Sequence, residues 1–219
     1  MITVHHLQDS RSQRVLWLLE ELGLAYEVRR YERTRDYRAP PELKAVHPLG
    51  RSPVIEDGSL RLAETGAIVN YVIERHANGR LMPQPGSTDF WTARHFLHHA
   101  EGTAMPPLVM RLVFNRIAAQ GPRLVRPIIG KAMATADARF LAPQIEALLD
   151  YWEGALAGTG WFAGPELSAA DIMMSFPVEA GAKRLDYSGR PRLRDFVARI
   201  QARPAYRRAL ERGGPYAYA

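Results

Sequence analysis

The densest chemistry in this chain lies between residues 47 and 65: His47-Pro48-Leu49-Gly50-Arg51-Ser52-Pro53-Val54-Ile55-Glu56-Asp57-Gly58, then Leu62-Ala63-Glu64-Thr65. Ser52-Pro53 stands at the mouth of a short apolar strand. Proline has no N–H to give a strand ladder, so the main-chain N–H and carbonyl of Ser52 are left facing outward. A cis Ser52-Pro53 bond would lock that edge for a ligand at a cost of only about 0.5–1 kcal/mol. Glu64-Thr65 opens a helix rich in Ile and Val. Its free N–H groups and dipole favour a bound carboxylate, although an acidic first turn is also a common way to start a helix.

Other reactive types are more ambiguous. Ser10-Arg11-Ser12-Gln13 fits a Ser-x-x-Gln capping box, in which the Ser10 hydroxyl simply satisfies a helix N–H. His95 and His99 fall at i, i+4, a metal-ligand spacing, but no second helical His or Cys partner accompanies them, so no metal is expected. The chain has no cysteine. It therefore carries no thiolate nucleophile, no redox pair and no mixed-disulfide step, and any thiol must arrive with the substrate.

The formal net charge of +6 comes from arginines scattered among acids; the lysines are only Lys44, Lys131 and Lys183. Without an aromatic-interleaved basic stripe this reads as a solvated surface, not a nucleic-acid face. Steering of a small anion is a second use of such charge. No apolar run approaches the roughly 18 residues of a membrane span. No basic region followed by an apolar stretch opens the sequence, so the expected compartment is the cytoplasm.

The elements that must position these groups follow from periodicity. A strand is expected at Ile2 to His5, a helix at Ser12 to Leu22 stopped by Gly23, and a strand at Tyr26 to Tyr31. A helical turn at Glu42 to Val46, an Asp57-Gly58 hairpin and a helix from Thr65 to His76 complete a β-α-β-α-β-β-α order. Asn78 to Asp89, rich in Gly and Pro, reads as a linker. Helical patterns then run from Asp89 to Ala119, Pro122 to Ala157, Ser168 to Arg184 and Arg192 to Ala202, with a short piece after Pro204. Pro106-Pro107, Pro127 and Pro143 are expected to kink or break them. Ser168-Ala169-Ala170-Asp171, flanked by Leu167 and Ile172, is a capping box with a hydrophobic staple.

Taken together, these strings resemble the glutathione transferases over nearly the whole chain, and most closely the serine-type, Gtt-type branch of fungi and bacteria. The resemblance rests on Asp9-Ser10-Arg11, Arg14-Val15-Leu16-Trp17-Leu18-Leu19, Arg38-Ala39-Pro40-Pro41-Glu42-Leu43-Lys44, His47 to Pro53, Glu101-Gly102 with Pro106-Pro107-Leu108, and Ser168 to Pro177. It implies an α+β architecture: a thioredoxin-like glutathione-binding domain over residues 1–78, a linker at 79–88 and an all-α domain over 89–219.

The same resemblance implies a transferase of the detoxifying kind that activates the thiol of glutathione for attack on a small hydrophobic electrophile. Glutathione-dependent peroxidase activity is a further implied possibility, and a non-catalytic scaffold on the same fold is the alternative. Glutathione would be a co-substrate, with no resident cofactor. Ser10, four residues before Arg14, would donate to its sulfur, with Ser12 as the competing hydroxyl. Ser52 and Pro53 would pair its backbone, Thr65 and Glu64 would take its γ-glutamyl end, and Arg51 and Arg38 would take its glycyl carboxylate. Glu101 and Met105 would line the electrophile pocket. The implied assembly is a homodimer, with neither nucleic acid nor membrane as a partner.

Overall fold

Ile2 and Val4 share a core with Val15, Leu18, Leu19 and Leu22, one stripe of the first helix, and this packing sets the first half of the molecule. The computed structural model describes residues 1–120 and 122–219. Strand β1 (Ile2–Leu7), helix α1 (Gln13–Leu22) and strand β2 (Tyr26–Tyr31) come first. Helix α2 (Glu42–Val46), strands β3 (Val54–Asp57) and β4 (Leu60–Ala63) and helix α3 (Thr65–His76) complete this half. The sheet order is β2-β1-β3-β4, with β1 parallel to β2 and antiparallel to β3, and β3 antiparallel to β4. This is the expected thioredoxin-like arrangement. β1 runs two residues beyond the expected His5 because its parallel ladder continues to Leu7 opposite Tyr31. Gly23, at φ 66°, ends α1 in the left-handed turn that glycine adopts without strain.

The remainder is helical: α4 (Thr88–His99), α5 (Met105–Gln120), α6 (Arg126–Ala136), α7 (Ala142–Ala155), α8 (Ala169–Ala182), α9 (Pro191–Gln201) and α10 (Pro204–Gly213). The prolines act differently from a simple break. α4 passes into α5 through a widened π turn, Ala100–Ala104, and α6 into α7 through another, Asp137–Leu141. A proline ring clashes with the carbonyl four residues before it. For Pro106, Pro107 and Pro143 those carbonyls belong to Gly102, Thr103 and Arg139, all inside the widened turns, where the hydrogen-bond register has already shifted. Pro127 sits in the first turn of α6 and starts the helix there, so that helix begins at Arg126 and not at Pro122.

Helix α8 is buried on all sides from Ala169 to Gly181, as an apolar helix at the centre of a bundle must be. Its start is fastened as the capping box requires. Asp171 accepts the Ser168 N–H and the Phe162 N–H, each at 2.8 Å. Pro177 lies inside α8 and cannot donate to Met173. The freed Met173 carbonyl accepts instead from Arg14 Nη1 at 2.6 Å, which ties α8 to α1. Beyond α10 the chain returns towards the first half, where the Ala217 N–H donates to Asp9 Oδ1 at 2.7 Å.

Candidate active site

A cavity of about 530 Å³ opens where the end of β1, the Ser52 edge, α5, the end of α8 and the C-terminal tail meet. Ser10, Arg51, Ser52 and Met105 all line it. Ser10 follows Asp9, whose backbone is left-handed at φ 50°, and this turn brings the hydroxyl to the cavity mouth. The capping box read from Ser10 and Gln13 does not form: α1 starts at Gln13, with Ser12 at its N-cap. Ser10 Oγ accepts the Ser12 N–H at 3.2 Å, while the Gln13 side-chain amide finds no partner among the described residues.

Behind Ser10 lies a buried polar chain. Ser10 Oγ is 2.7 Å from Ser12 Oγ, which is 2.9 Å from His6 Nδ1 and accepts the Leu7 N–H at 3.2 Å. Ser12 is fully buried and does not line the cavity. Burial, reinforced by the nearby Arg30 charge, pushes the His6 imidazole down to about 4, so it is neutral at ordinary pH.

The Ser52-Pro53 bond is cis. The β1–β3 ladder ends at the His5–Val54 pair, so Ser52 stands beyond the last paired residue. Its hydroxyl donates to the His5 carbonyl at 2.8 Å and accepts the Leu7 N–H at 3.2 Å, which clamps the Ser-Pro turn to the end of β1. Pro53 is buried beneath it.

Glu64 is exposed, with φ 69° and ψ 117°, a conformation that costs a non-glycine residue about 1–3 kcal/mol. Thr65 is buried at the start of α3, and its Oγ1 lies 3.5 Å from Arg14 Nη2. Glu101, expected at the electrophile pocket, is turned elsewhere. It pairs with Arg14 and, at 3.0 Å, with Arg11, and it is not part of the cavity lining. Arg38 is exposed on its loop and also lies outside that lining. The two helical histidines have other partners: His99 Nε2 accepts from Trp152 Nε1 at 2.9 Å, and His95 Nε2 lies 3.0 Å from the Tyr151 hydroxyl.

Three features were not visible as site residues in the sequence. Arg14, 1% exposed, bridges α1, α8, the π turn and the start of α3. Its Ser10–Arg14 spacing was the only sequence signal. Arg33 pins its loop by donating to the carbonyls of Gln8 (2.9 Å), Tyr37 (3.0 Å) and Asp9 (3.0 Å). Glu179, fully inside α8, accepts from Tyr206, from Tyr216 at 3.1 Å and from Gln201 at 3.4 Å. Burial pushes its carboxyl up to about 7 against the pull of those donors.

A thioredoxin-like sheet with a cis-proline edge, joined to a helical bundle across one cleft, defines a two-domain class of protein. Residues 1–74 match the family described as glutathione S-transferase, N-terminal domain, and residues 126–211 match glutathione S-transferase, C-terminal domain. Glutathione S-transferase 1 of Saccharomyces cerevisiae is 33% identical over 192 residues, covering 84% of this chain and 82% of the relative. A crystal structure of a glutathione S-transferase from Actinobacillus pleuropneumoniae superposes with a TM-score of 0.81 at 29% identity, over 100% of this chain and 95% of that one. A sphingomonad glutathione S-transferase solved with glutathione shares the fold, with a TM-score of 0.74 at 22% identity over 97% and 98% of the two chains. The chain belongs to the glutathione transferase family. Among the described residues no helix is long and apolar enough to cross a membrane.

Proposed function

We propose that this chain is a glutathione transferase that binds glutathione along the Ser52 edge and holds its thiol as a thiolate beside Ser10. The observation that carries this reading is the convergence of the Ser10 hydroxyl and the cis Ser52-Pro53 edge on one cavity. The main-chain N–H and carbonyl of Ser52 pair with the backbone of the tripeptide. The N–H and hydroxyl of Thr65 take the γ-glutamyl carboxylate, and Glu64 takes its ammonium. Arg51 holds the glycyl carboxylate, with Arg38 on the neighbouring loop as its second contact. Glu101 acts through Arg14, whose guanidinium faces Thr65, while Met105 touches the electrophile.

The magnitudes are sufficient without a general base. A free thiol has a pKa of about 8.5, and lowering it by about two units takes roughly 2.7 kcal/mol. One hydrogen bond to a charged group supplies about 1.5–3 kcal/mol, and the N-terminus of α1 adds about 0.3–1 kcal/mol. The neutral His6 ring, protonated on Nδ1, donates to Ser12. Ser12 then gives its own proton to Ser10, and Ser10 keeps its single proton for the sulfur. The thiolate attacks a bound electrophile: a carbon–sulfur bond forms and the leaving group departs with its electron pair, accelerated by proximity. With an organic hydroperoxide the sulfur takes the terminal oxygen and releases the alcohol. A second glutathione then closes the disulfide and releases water.

The working unit in this reading is a cytoplasmic homodimer, with residues 1–78 binding glutathione and 89–219 supplying the electrophile pocket across a linker at 79–88. The reaction uses glutathione as co-substrate and no resident cofactor. Calorimetric titration with glutathione, followed by turnover of 1-chloro-2,4-dinitrobenzene and cumene hydroperoxide, tests it. Binding is expected, with turnover of at least one substrate. Binding with turnover of neither would overturn the catalytic reading.

A further inference from the structure

The cavity is lined by five arginines and one aspartate, and the arginines are unequally matched. Arg111 is held by both oxygens of Asp137, at 2.7 and 3.0 Å, and Arg11 is paired with Glu101. Arg51 is assigned to glutathione in the reading above. Arg33 gives its N–H groups to main-chain carbonyls and not to a carboxylate. Arg184, at the end of α8, has a neutral partner. Its Nη2 donates to the Tyr218 hydroxyl at 2.8 Å, and its guanidinium carbon sits 5.3 Å from the centre of the Tyr218 ring. The aspartate, Asp9, is turned to the Ala217 N–H.

Phe176 packs against the Tyr218 ring that Arg184 touches, and with Ala180 and Leu185 it gives the cavity an apolar wall on this side; α5 adds Met105, Leu108 and Leu112, with Arg111 and Asn115 as its polar lining residues. An apolar slot that includes a guanidinium meeting no carboxylate among the described residues is built for a ligand of mixed character. Excess charge of one sign in a cleft also raises the local concentration of the opposite ion. A guanidinium binds a carboxylate with two parallel hydrogen bonds, which the single bond to Tyr218 cannot match.

We propose that the electrophile taken by this cavity carries a carboxylate on an apolar body, and that Arg184 holds that carboxylate. This rests on the proposed glutathione chemistry and narrows its substrate class from hydrophobic electrophiles to anionic, amphipathic ones. The carboxylate displaces the Tyr218 hydroxyl from Arg184 and leaves the reactive carbon in the apolar slot facing the thiolate.

The test is a matched pair of chloronitroarenes, 4-chloro-3-nitrobenzoate and 4-chloro-3-nitrobenzamide, which differ in charge and little in shape. In both, the glutathione sulfur replaces chloride. In Arg184→Gln the carboxylate-to-amide ratio of kcat/KM is expected to fall about ten-fold, the size of one lost charge-assisted contact. In Arg207→Gln, an exposed arginine of α10 outside the cavity, it is expected to stay constant. A ratio unmoved by Arg184→Gln, or moved equally by Arg207→Gln, overturns the inference. Calorimetry with 4-chloro-3-nitrobenzoate in the absence of glutathione separates it from the wider reading. Binding weakened by Arg184→Gln, with turnover of neither arene, supports the anion site while defeating the transferase chemistry. Turnover of the amide with carboxylate binding unchanged in Arg184→Gln does the reverse.

Discussion

Ser10 and Ser12 share a hydrogen bond of 2.7 Å, yet only Ser10 reaches the cavity. Both hydroxyls were candidates for the sulfur donor, and their inequality has a structural cause. Ser12 is enclosed by His6, the Leu7 N–H and Ser10, whereas Ser10 has one face open. Ser10→Ala is therefore expected to raise the thiol pKa of bound glutathione by one to two units and to lower kcat/KM about 10- to 100-fold at neutral pH, the size of one hydrogen bond to a charge. Thiolate absorbance against pH, measured on the enzyme–glutathione complex, checks this. A larger loss in Ser12→Ala than in Ser10→Ala would reassign the donor.

The His6 ring orients this pair from behind. His6→Phe keeps a ring in the core but removes the His6–Ser12 hydrogen bond, in which the proposed mechanism has Nδ1–H donate, leaving Ser12 free to turn its proton to the Leu7 carbonyl at 3.4 Å. Ser10 then loses its fixed orientation. The expected result is a thiol pKa raised by about half a unit to one unit, with KM for glutathione nearly constant, since the neutral bond lost is worth about 0.5–1.5 kcal/mol. A KM change without a pKa change would mean that His6 only packs.

Arg14 is a structural hub whose removal exposes several buried groups at once. Arg14→Met leaves the Met173 carbonyl without a donor, because Pro177 cannot supply one, and removes the guanidinium from Glu101. A loss of about 1–3 kcal/mol is expected for the buried carbonyl left unsatisfied, since Glu101 is 31% exposed and keeps its pair with Arg11. Arg14→Lys should recover only part of it, since one ammonium cannot reach three differently directed acceptors. Urea unfolding of the two variants measures both values.

Glu179 makes stability depend on pH in a direction opposite to most carboxylates. Its folded pKa, about 7, lies above the ordinary carboxylate value of 4.5 because burial disfavours the charge. The folded chain thus binds this proton more tightly than the unfolded chain. The stabilisation is fully present below about pH 4.5 and is lost as pH rises through about 7, and over that window it amounts to about 3 kcal/mol. Glu179→Gln removes the titration. Relative to wild type it should gain about that much stability between pH 5 and pH 8 in urea unfolding. Parallel curves for the two proteins across that range would contradict it.

Much of the architecture could be read locally. The alternation and 3.6-residue stripes located β1 to α3, and the Ser168–Asp171 box marked the start of α8 because capping involves neighbours three residues apart. The Ser52-Pro53 edge was legible for the same reason: a missing N–H at a strand mouth is a property of one residue. The prolines misled for a local reason too. Proline chemistry gives the clash but not the remedy, and the widened turns at Ala100–Ala104 and Asp137–Leu141 absorb it inside continuous helices.

The sequence alone determined the order of strands and helices in the first half, the exclusion of protein thiol chemistry and the Ser52-Pro53 strand edge, since each depends on residue type and short spacing. Tertiary structure decided which serine faces the cavity, where Glu101 points and why Arg14 is buried. The Arg14–Met173 bond joins residues 159 apart, and the Ala217–Asp9 bond joins residues 208 apart. Hydrogen-bond satisfaction in a closed core is a property of the whole packing. No periodicity along the chain encodes which distant carbonyl will lack its donor.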